Sequence, residues 1–227
     1  REAALTTHTF SQATESAKSY ALDATVISAN SAEEINSAIK QEVADGKTAI
    51  RLNIASDAGD NEFKAIREAF KNVKSGTIDL TLIGCKEIPA DGLNDIKALK
   101  SIFLPDVTKI GMNALSYCVN LQEICAPNVS AIDERAFAGF IMLTKVTLGE
   151  LTDVRGEANS GGGIFDDDKR ILIDLYLPKN QEVMKGEFDE NSNQYIWKPT
   201  GESYFASLDY DNRIFLGYQF NSVKSWE

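Results

Sequence analysis

The sequence has few of the residues from which catalytic centres are commonly built. It contains one histidine, His8, and three cysteines among 227 residues. A Ser-His-Asp triad, a Cys-His pair or a histidine-based zinc site is therefore not expected in the folded region. Cys85, Cys118 and Cys125 include no CxxC pair and are odd in number, which predicts free, buried thiols rather than a disulfide framework.

Positive charge and long apolar runs are also scarce. Lys and Arg number 23 against 34 Asp and Glu, so the net charge is −11. Such a chain repels nucleic-acid phosphate and anionic lipid, and we expect neither as a partner. No apolar run approaches the roughly 20 residues needed to cross a bilayer. No GxGxxG or GxxxxGK[ST] motif occurs, and we expect no cofactor and no metal.

What the chain does have is an internal repeat, clearest in two adjacent segments. Residues 103–124 read FLPDVTKIGMNALSYCVNLQEI and residues 125–146 read CAPNVSAIDERAFAGFIMLTKV. Their apolar positions coincide without a gap. A fixed period of this length indicates a solenoid, in which each unit buries its apolar edge against the next. We therefore predict an α/β solenoid, a leucine-rich repeat stack of short parallel strands.

The repeat extends in both directions from this pair. It predicts strands near residues 49–54, 78–83, 101–104, 123–126, 145–148 and 171–177. The turns around Ala114-Leu115 and Ala136-Phe137 are predicted to be short helical or 3₁₀ turns. A helix at Phe63–Val73 makes the first unit a longer variant, in which Arg51 is expected to face Asp79. The glycine-rich run Gly156–Gly163 is predicted to be an insertion loop.

The ends of the chain lose the repeat. Ser31-Ala32-Glu33-Glu34 is a capping box that predicts a helix over 32–45, and Ile214, Leu216, Tyr218 and Phe220 alternate as in one strand. We predict four regions: a flexible tether (1–21), a helical N-terminal cap with the variant repeat (22–76), leucine-rich repeats (77–178) and a β-rich C-terminal cap (179–227). The aromatics of the last region are expected to be core, with a carbohydrate-binding platform as the rival interpretation.

The repeat resembles the BspA-like type of leucine-rich repeat. The family unit reads roughly L-P-x-x-[LV]-x-x-I-x-x-x-A-F-x-x-C-x-x-L-x-x-I, and residues 104–124 match it with Leu115 where the family prefers Phe. The next unit keeps Ala136-Phe137 and has Phe140 where the family often has Cys. The resemblance covers residues 77–178. It implies an exported or surface-displayed bacterial protein that binds other proteins or cells.

The candidate binding surface is the outward side of the predicted strands. The alternation predicts one ladder of Arg51, Asp79, Ser101, Glu123, Lys145 and Asp174, and a second of Asn53, Thr81, Phe103, Cys125, Thr147 and Tyr176. Compensating charges along these ladders favour simple cross-strand pairing. A recognition surface remains open, with Phe103 and Tyr176 as exposed aromatic anchors beside Glu123, Lys145 and Asp174.

These observations predict a non-enzymatic binding module whose ligand is a protein or a glycan. The resemblance adds an adhesin-like role at the cell surface and allows a lipid anchor ahead of residue 1. Two alternatives stay open: a glycan-acting hydrolase with paired carboxylates, and a purely structural or assembly module. Asp166-Asp167-Asp168 could supply oxygen ligands to calcium but matches no EF-hand loop, and a solvated acidic turn is the preferred interpretation.

Overall fold

The computed structural model describes residues 25–158, 160–165 and 171–226. The predicted tether at 1–21, His8 and Asp166–Asp168 lie outside the described residues. The described helices are α1 (Ala32–Ala44), α2 (Asp60–Phe70) and α3 (Leu208–Asp211). The described strands are β1 (Val26–Ser28), β2 (Ala49–Asn53), β3 (Ile78–Ile83), β4 (Glu87–Ile88), β5 (Leu99–Phe103), β6 (Lys109–Ile110), β7 (Glu123–Ala126), β8 (Ala131–Ile132), β9 (Lys145–Leu148), β10 (Asp153–Arg155), β11 (Asp174–Leu177), β12 (Glu182–Asp189), β13 (Gln194–Ser203), β14 (Ile214–Phe215), β15 (Tyr218–Gln219) and β16 (Ser222–Ser225).

The spacing of the sequence repeat equals the spacing between paired residues on neighbouring strands of a large parallel sheet. This main sheet has the strand order β1-β2-β3-β5-β7-β9-β11-β16. Ser101 pairs with Glu123, and Glu123 pairs with Lys145, so each strand aligns with the equivalent residues of the next repeat. The six predicted strands are confirmed, with small shifts at their ends. A parallel sheet with few helices fits a repeat stack.

In the first unit, paired residues on β2 and β3 are farther apart in sequence than predicted. Arg51 pairs with Thr81, and Asp79 pairs with Ala49, so the expected Arg51–Asp79 pair is wrong. The connection that carries α2 sets this register, and no repeat match constrained its length. Because side chains alternate with a period of two, a shift by an even number of positions leaves every side chain on its predicted face.

A second sheet, which the sequence did not predict, closes the other side of the stack. Its strand order is β12-β13-β10-β8-β6-β4. β4, β6, β8 and β10 are parallel, whereas the long β12–β13 hairpin joins β10 in antiparallel fashion. These parallel strands are very short, with one buried aliphatic residue each. So short a run carries no readable alternation.

The turns between the two sheets are not helical, which corrects the prediction at Ala114-Leu115 and Ala136-Phe137. The chain makes hydrogen-bonded turns there. Backbone N–H groups donate across repeats, from Leu93 to the Ala114 carbonyl at 2.8 Å and from Leu115 to the Ala136 carbonyl at 2.8 Å. Isolated local bonds remain, from the Ala114 N–H to the Gly111 carbonyl at 3.2 Å and from the Ser116 N–H to the Asn113 carbonyl at 3.1 Å. The residues between them bond to the next repeat instead, so no continuous helical hydrogen bonding forms.

The hydrophobic core lies between the two sheets and extends without a break along the stack. The main sheet contributes Ile102, Ile124 and Val146, and the second sheet contributes Ile110 and Ile132, all buried. Each aliphatic side chain removed from water stabilises the fold by about 1.5–3 kcal/mol. Cys85 and Cys118 belong to this core as free thiols, as predicted.

The predicted N-terminal helix is present as α1. Ser31 caps it, with its side chain accepting from the Glu34 N–H at 3.1 Å. The Glu34 carboxylate reaches back to the N–H of Asn30 at 2.8 Å, one residue before the expected donor. Gly46 follows the helix with a φ of 77°, a conformation that glycine adopts without strain. α1 packs against α2.

The C-terminal region is rich in strands, but Ile214–Phe220 is not one strand. β14 and β15 pair as an antiparallel hairpin, and the turn is made by Leu216 and Gly217 with φ of 51° and 79°. The apolar residues at every second position continue through the turn, although the hairpin changes which positions face inward. Phe215 and Tyr218 are paired and buried, whereas Ile214 is exposed. Tyr204, Phe215, Tyr218 and Phe220 of this region are buried, so these aromatics are core.

Gln181 fastens the C-terminal region to the last repeat. This fully buried side chain accepts from the Leu151 N–H at 2.7 Å and donates to the Leu151 carbonyl at 3.2 Å and the Glu182 carbonyl at 2.9 Å. It satisfies both backbone groups of Leu151 where no strand pairs with them. A side chain therefore completes the backbone hydrogen bonding at this position.

We expect Gln181→Ala to lower the free energy of unfolding by about 2–4 kcal/mol, because it leaves buried backbone groups of Leu151 unpaired. Urea unfolding at pH 7, followed by circular dichroism, measures the change. Asn180→Ala is the matched control, since Asn180 is exposed and its side chain donates to the exposed Glu150 carboxylate. A Gln181→Ala variant as stable as this control would contradict the assigned role.

Candidate functional site

The candidate site is the outward side of the main sheet, which we call the strand face. The alternation that sends Ile102 and Ile124 into the core sends their neighbours to this side. Register arranges these neighbours in two rows. The acidic row is Asp79, Ser101, Glu123, Lys145 and Asp174. The aromatic row is Arg51, Thr81, Phe103, Cys125, Thr147 and Tyr176.

The structure places the five predicted site residues on this one face, in the two rows. Glu123, Lys145 and Asp174 are consecutive in the acidic row. Phe103 and Tyr176 share the aromatic row but lie three strands apart, with Cys125 and Thr147 between them. At about 4.8 Å per strand, their backbones are roughly 14 Å apart. The two aromatic side chains therefore cannot both contact one small ligand.

Phe103 is not an exposed anchor, which corrects the prediction. Its exposed fraction is 0%, and that of Glu123 is 5%. The pleat places both side chains outward, but outward on a strand is not the same as accessible to solvent. Phe103 and Cys125 are buried without belonging to the hydrophobic core between the two sheets.

The most accessible part of the strand face lies at its C-terminal end, although Asp79 near the other end is also half-buried. Lys145, Asp174 and Tyr176 are half-buried, and Lys224 of the next strand is exposed. Lys145 Nζ lies 5.6 Å from the centre of the Tyr176 ring, where a cation is attracted by the π-face. This end therefore offers an aromatic ring, two cations and a carboxylate within two adjacent strand spacings.

Asp174 is held as a carboxylate by neighbours that the repeat does not supply. Partial burial by itself raises the pKa of this carboxyl, but hydrogen bonds from Ser222 Oγ at 2.6 Å and Asn221 Nδ2 at 2.7 Å outweigh it. Lys224 and Lys145 act in the same direction, and the pKa lies below its ordinary value. No sequence signal pointed to Asn221 and Ser222, which lie outside the repeats.

The three thiols are unsuited to nucleophilic chemistry. Burial raises the pKa of Cys85 to about 12, helped by the charge of Asp106, and burial raises that of Cys118 to about 12. Burial raises the pKa of Cys125 further, the Glu123 charge adds to this, and a hydrogen bond from Thr147 opposes it. The thiolate is the reactive form, and these thiols remain protonated at neutral pH.

A charged groove on the second sheet was not predicted. It is lined by Lys109, Ala131, Asp133, Asp153 and Arg155. Asp153 Oδ1 lies 3.0 Å from Arg155 Nε, and Asp153 Oδ2 lies 3.3 Å from Lys198 Nζ. Partial burial raises the pKa of Asp153, but the bonds and charges of Arg155 and Lys198 prevail and lower it.

Lowered carboxyl pKa values are the opposite of what a general acid needs. The resolved shifts of Asp153, Asp174, Glu187 and Asp189 are all downward. Across the described ranges, no group of three or more His, Cys, Asp or Glu residues could hold a metal ion. The electrostatics of these sites therefore suit ion pairing and recognition better than proton transfer.

The comparisons identify the repeat. Residues 61–161 match the family model of the BspA type leucine-rich repeat region, in six copies. The chain thus carries a BspA-type leucine-rich repeat region, as its sequence predicts. No curated protein and no solved structure matches the chain. Within the part of the chain that the structure describes, every helix is too short or too polar to cross a bilayer.

Asp174 makes part of the stability depend on pH. Its native pKa is lowered, so its contribution is complete above about pH 4, near the unfolded value, and is lost as pH falls towards the native value. Asp174→Asn should remove this component, about 0.5–1 kcal/mol after screening, and flatten the loss of stability below pH 4. Urea unfolding at pH 7, 4 and 3 measures it.

Glu190→Gln is the control for this experiment, because Glu190 is an exposed carboxyl in the turn of the β12–β13 hairpin. It should keep the acid dependence of the parent chain. Parallel loss of stability in Asp174→Asn and the parent between pH 4 and pH 3 would show that the carboxylate adds nothing.

Proposed function

We propose that the chain is a non-enzymatic binding module that is exported and displayed on a bacterial surface, where it binds a protein or glycan in an adhesin-like role. The BspA-type leucine-rich repeat region supports this proposal, because repeats of this class suggest protein binding and are typical of surface or exported proteins. The parallel sheet supports it as well, since stacked repeats present continuous surfaces to partners.

We further propose a right-handed solenoid with end caps. The stacked helices α1 and α2 near the β1–β2 edge support a helical N-terminal cap over 22–76. Two pairings support a β-rich C-terminal cap over 179–227: β13 joins the last repeat strand of the second sheet, and β16 joins β11 in the main sheet. Such caps prevent the terminal repeats from exposing core or unpaired edges.

The partner is proposed to bind at the accessible end of the strand face. The observation that carries this proposal is the change in burial along the aromatic row, from 0% exposure at Phe103 to a half-buried Tyr176. Tyr176 beside Lys145 combines an aromatic ring with a cation, and aromatic and charged residues of this kind often dominate binding energy. Phe103 and Glu123 are too deeply buried to contact a partner directly.

The test is surface plasmon resonance of the purified full chain against immobilised matrix glycoproteins, with a glycan array in parallel. We expect binding to at least one of these probes. Tyr176→Ala and Lys145→Ala should each weaken it about tenfold or more, because both remove side chains from the contact surface. Lys185→Ala, an exposed site on β12, is the control and should leave affinity unchanged.

A folded chain that binds none of these probes would overturn the adhesin-like role. Binding that survives both Tyr176→Ala and Lys145→Ala would move the contact away from the strand face.

Surface display has its own test. Intact cells that produce the protein are treated with a protease too large to enter them, and the released peptides are identified by mass spectrometry. We expect peptides from exposed parts of the chain, such as the β12–β13 hairpin turn at 190–193. A cytoplasmic marker protein is the control, and release of both only after lysis would contradict display.

A further inference from the structure

The second sheet ends in a long free edge. In the described part of the chain, β12 is an outermost strand of this sheet and pairs with β13 alone. It has eight residues, whereas the outermost strands β1, β4 and β16 have three, two and four. Very short edge strands are one way in which proteins prevent their sheets from pairing with other chains. β12 does not have this protection.

The backbone of β12 directs hydrogen-bonding groups at this edge. The Gly156 N–H donates to the Tyr195 carbonyl at 2.8 Å, so the backbone groups of Tyr195 point to β10 and away from β12. Backbone direction alternates along a strand, so those of Trp197 also point to β10. Tyr195 and Trp197 are the residues paired with Phe188 and Gly186. The N–H and C=O groups of Phe188 and Gly186 therefore point outward from the sheet.

The Gly186 carbonyl already has one partner within the chain. The Tyr195 hydroxyl donates to it at 3.1 Å, and the tyrosine ring takes the place that a Cβ at residue 186 would fill. A carbonyl oxygen has two lone pairs, so it can accept a second hydrogen bond. The tyrosine contact therefore leaves this carbonyl able to accept from a partner strand.

The side chains of β12 next to this edge are open to water and balanced in charge. Those of Lys185 and Glu187 are 70% and 69% exposed, and Lys185 Nζ lies 2.6 Å from Glu187 Oε1. Phe188 is 58% exposed. A lysine on an edge strand ordinarily discourages pairing, because it brings an uncompensated charge to the edge. Here the opposite charge stands two residues away.

The order of these residues is complementary to itself. Residues whose backbone groups point outward must pair with each other when two edges join. If Gly186 lies opposite Gly186 of a second, antiparallel copy, Lys185 of each copy lies opposite Glu187 of the other. These two pairs fall at positions without backbone bonds, where cross-strand side chains are closest and opposite charges stabilise the pairing. Phe188 then lies opposite Met184 of the other copy.

The neighbouring registers are excluded by the same charges. A register centred on Lys185 places two lysines directly opposite each other, and one centred on Glu187 does the same with two glutamates. Like charges in this position destabilise a strand pair. Registers centred between two residues pair outward-directed backbone groups with inward-directed ones. The register centred on Gly186 is therefore the favoured one.

We propose that the chain forms a symmetric dimer in which the free edges of two β12 strands pair in antiparallel fashion about Gly186. The two second sheets then join into one continuous sheet. This inference goes beyond the proposed function and does not rest on it. One strand edge buries less than the roughly 1,200 Å² of a standard stable interface, so the dimer is weak. Far below its dissociation constant the chain is monomeric, and Lys185→Ala remains a control for partner binding there.

Sedimentation equilibrium of the full chain tests the dimer. The protein is examined from about 10 μM to about 1 mM, because a weak interface has its dissociation constant in this range. We expect the average mass to rise towards that of a dimer as concentration increases. A chain that stays monomeric up to about 1 mM overturns the proposal.

Charge exchange tests the register. Glu187→Lys and Lys185→Glu should each weaken the dimer by about tenfold or more, because each places like charges opposite each other at two symmetric positions. The double variant Lys185→Glu with Glu187→Lys restores opposite charges and should recover the parental dimer. An equimolar mixture of the two single variants should form a mixed dimer for the same reason.

Lys40→Glu and Glu68→Lys are the matched controls, since they make the same changes of net charge at exposed positions on α1 and α2. They should leave dimerisation as in the parent. Single β12 variants that dimerise as well as these controls overturn the proposal. A double variant that stays as weak as the single variants also overturns it.

Amide hydrogen exchange, followed by NMR on the unmodified chain, needs no variant. In the dimer, the Gly186 and Phe188 amides bond to the other copy, whereas those of Lys185 and Glu187 bond to β13 in monomer and dimer alike. Between about 10 μM and about 1 mM, exchange at Gly186 and Phe188 should slow by about threefold or more, with far less change at Lys185 and Glu187. A dimer that leaves exchange at Gly186 and Phe188 unchanged forms at another surface and overturns the proposal.

Discussion

The constraint on which the rest of the structure depends is that one repeat must pair with the next through backbone hydrogen bonds at three places. The main sheet, the second sheet and the turns between them are each bonded across repeats. A unit of one fixed length satisfies all three ladders together, so a change of length at one place would break register at the others. The glycine-rich insertion is accommodated where a loop can leave the stack, after β10.

The same constraint fixes which residues can occupy the turns. Asp91, Asn113 and Arg135 hold the same position in successive repeats and have φ of 59°, 56° and 55°. Asp and Asn tolerate this left-handed region, whereas Arg135 is strained in it. Arg135 compensates by donating from its guanidinium to the Gly161 carbonyl at 2.8 Å. This hydrogen bond joins the glycine-rich insertion to the repeats.

Sequence reasoning predicted the strands of the main sheet and missed the second sheet, the hairpin near the C-terminus and the burial of Phe103. The spacing placed Glu123 beside Lys145 and Lys145 beside Asp174, because a period fixes register directly. The second sheet was missed because its parallel strands, although Ile88, Ile110, Ile132 and Val154 recur every 22 residues, are too short to show a two-residue alternation. The hairpin at 214–220 was misassigned because apolar residues stand at every second position through the turn at Leu216 and Gly217, where the chain reverses. The burial of Phe103 was missed because alternation assigns a side chain to a face but does not say what lies against that face.

The uneven burial of the strand face has a consequence for recognition. Charged groups with access to water lie at both ends of the face: Asp79 is half-buried near one end, and Lys145, Asp174 and Lys224 are half-buried or exposed at the C-terminal end. Exposed charges cost little to desolvate in part and can steer a partner, whereas a carboxylate as buried as Glu123 must keep its compensating contacts or lose stability. On the proposed function, substitutions at Tyr176 and Lys145 therefore change partner binding without unfolding the stack. Changes at Phe103 or Glu123 act on folding first, because these side chains are packed away from water.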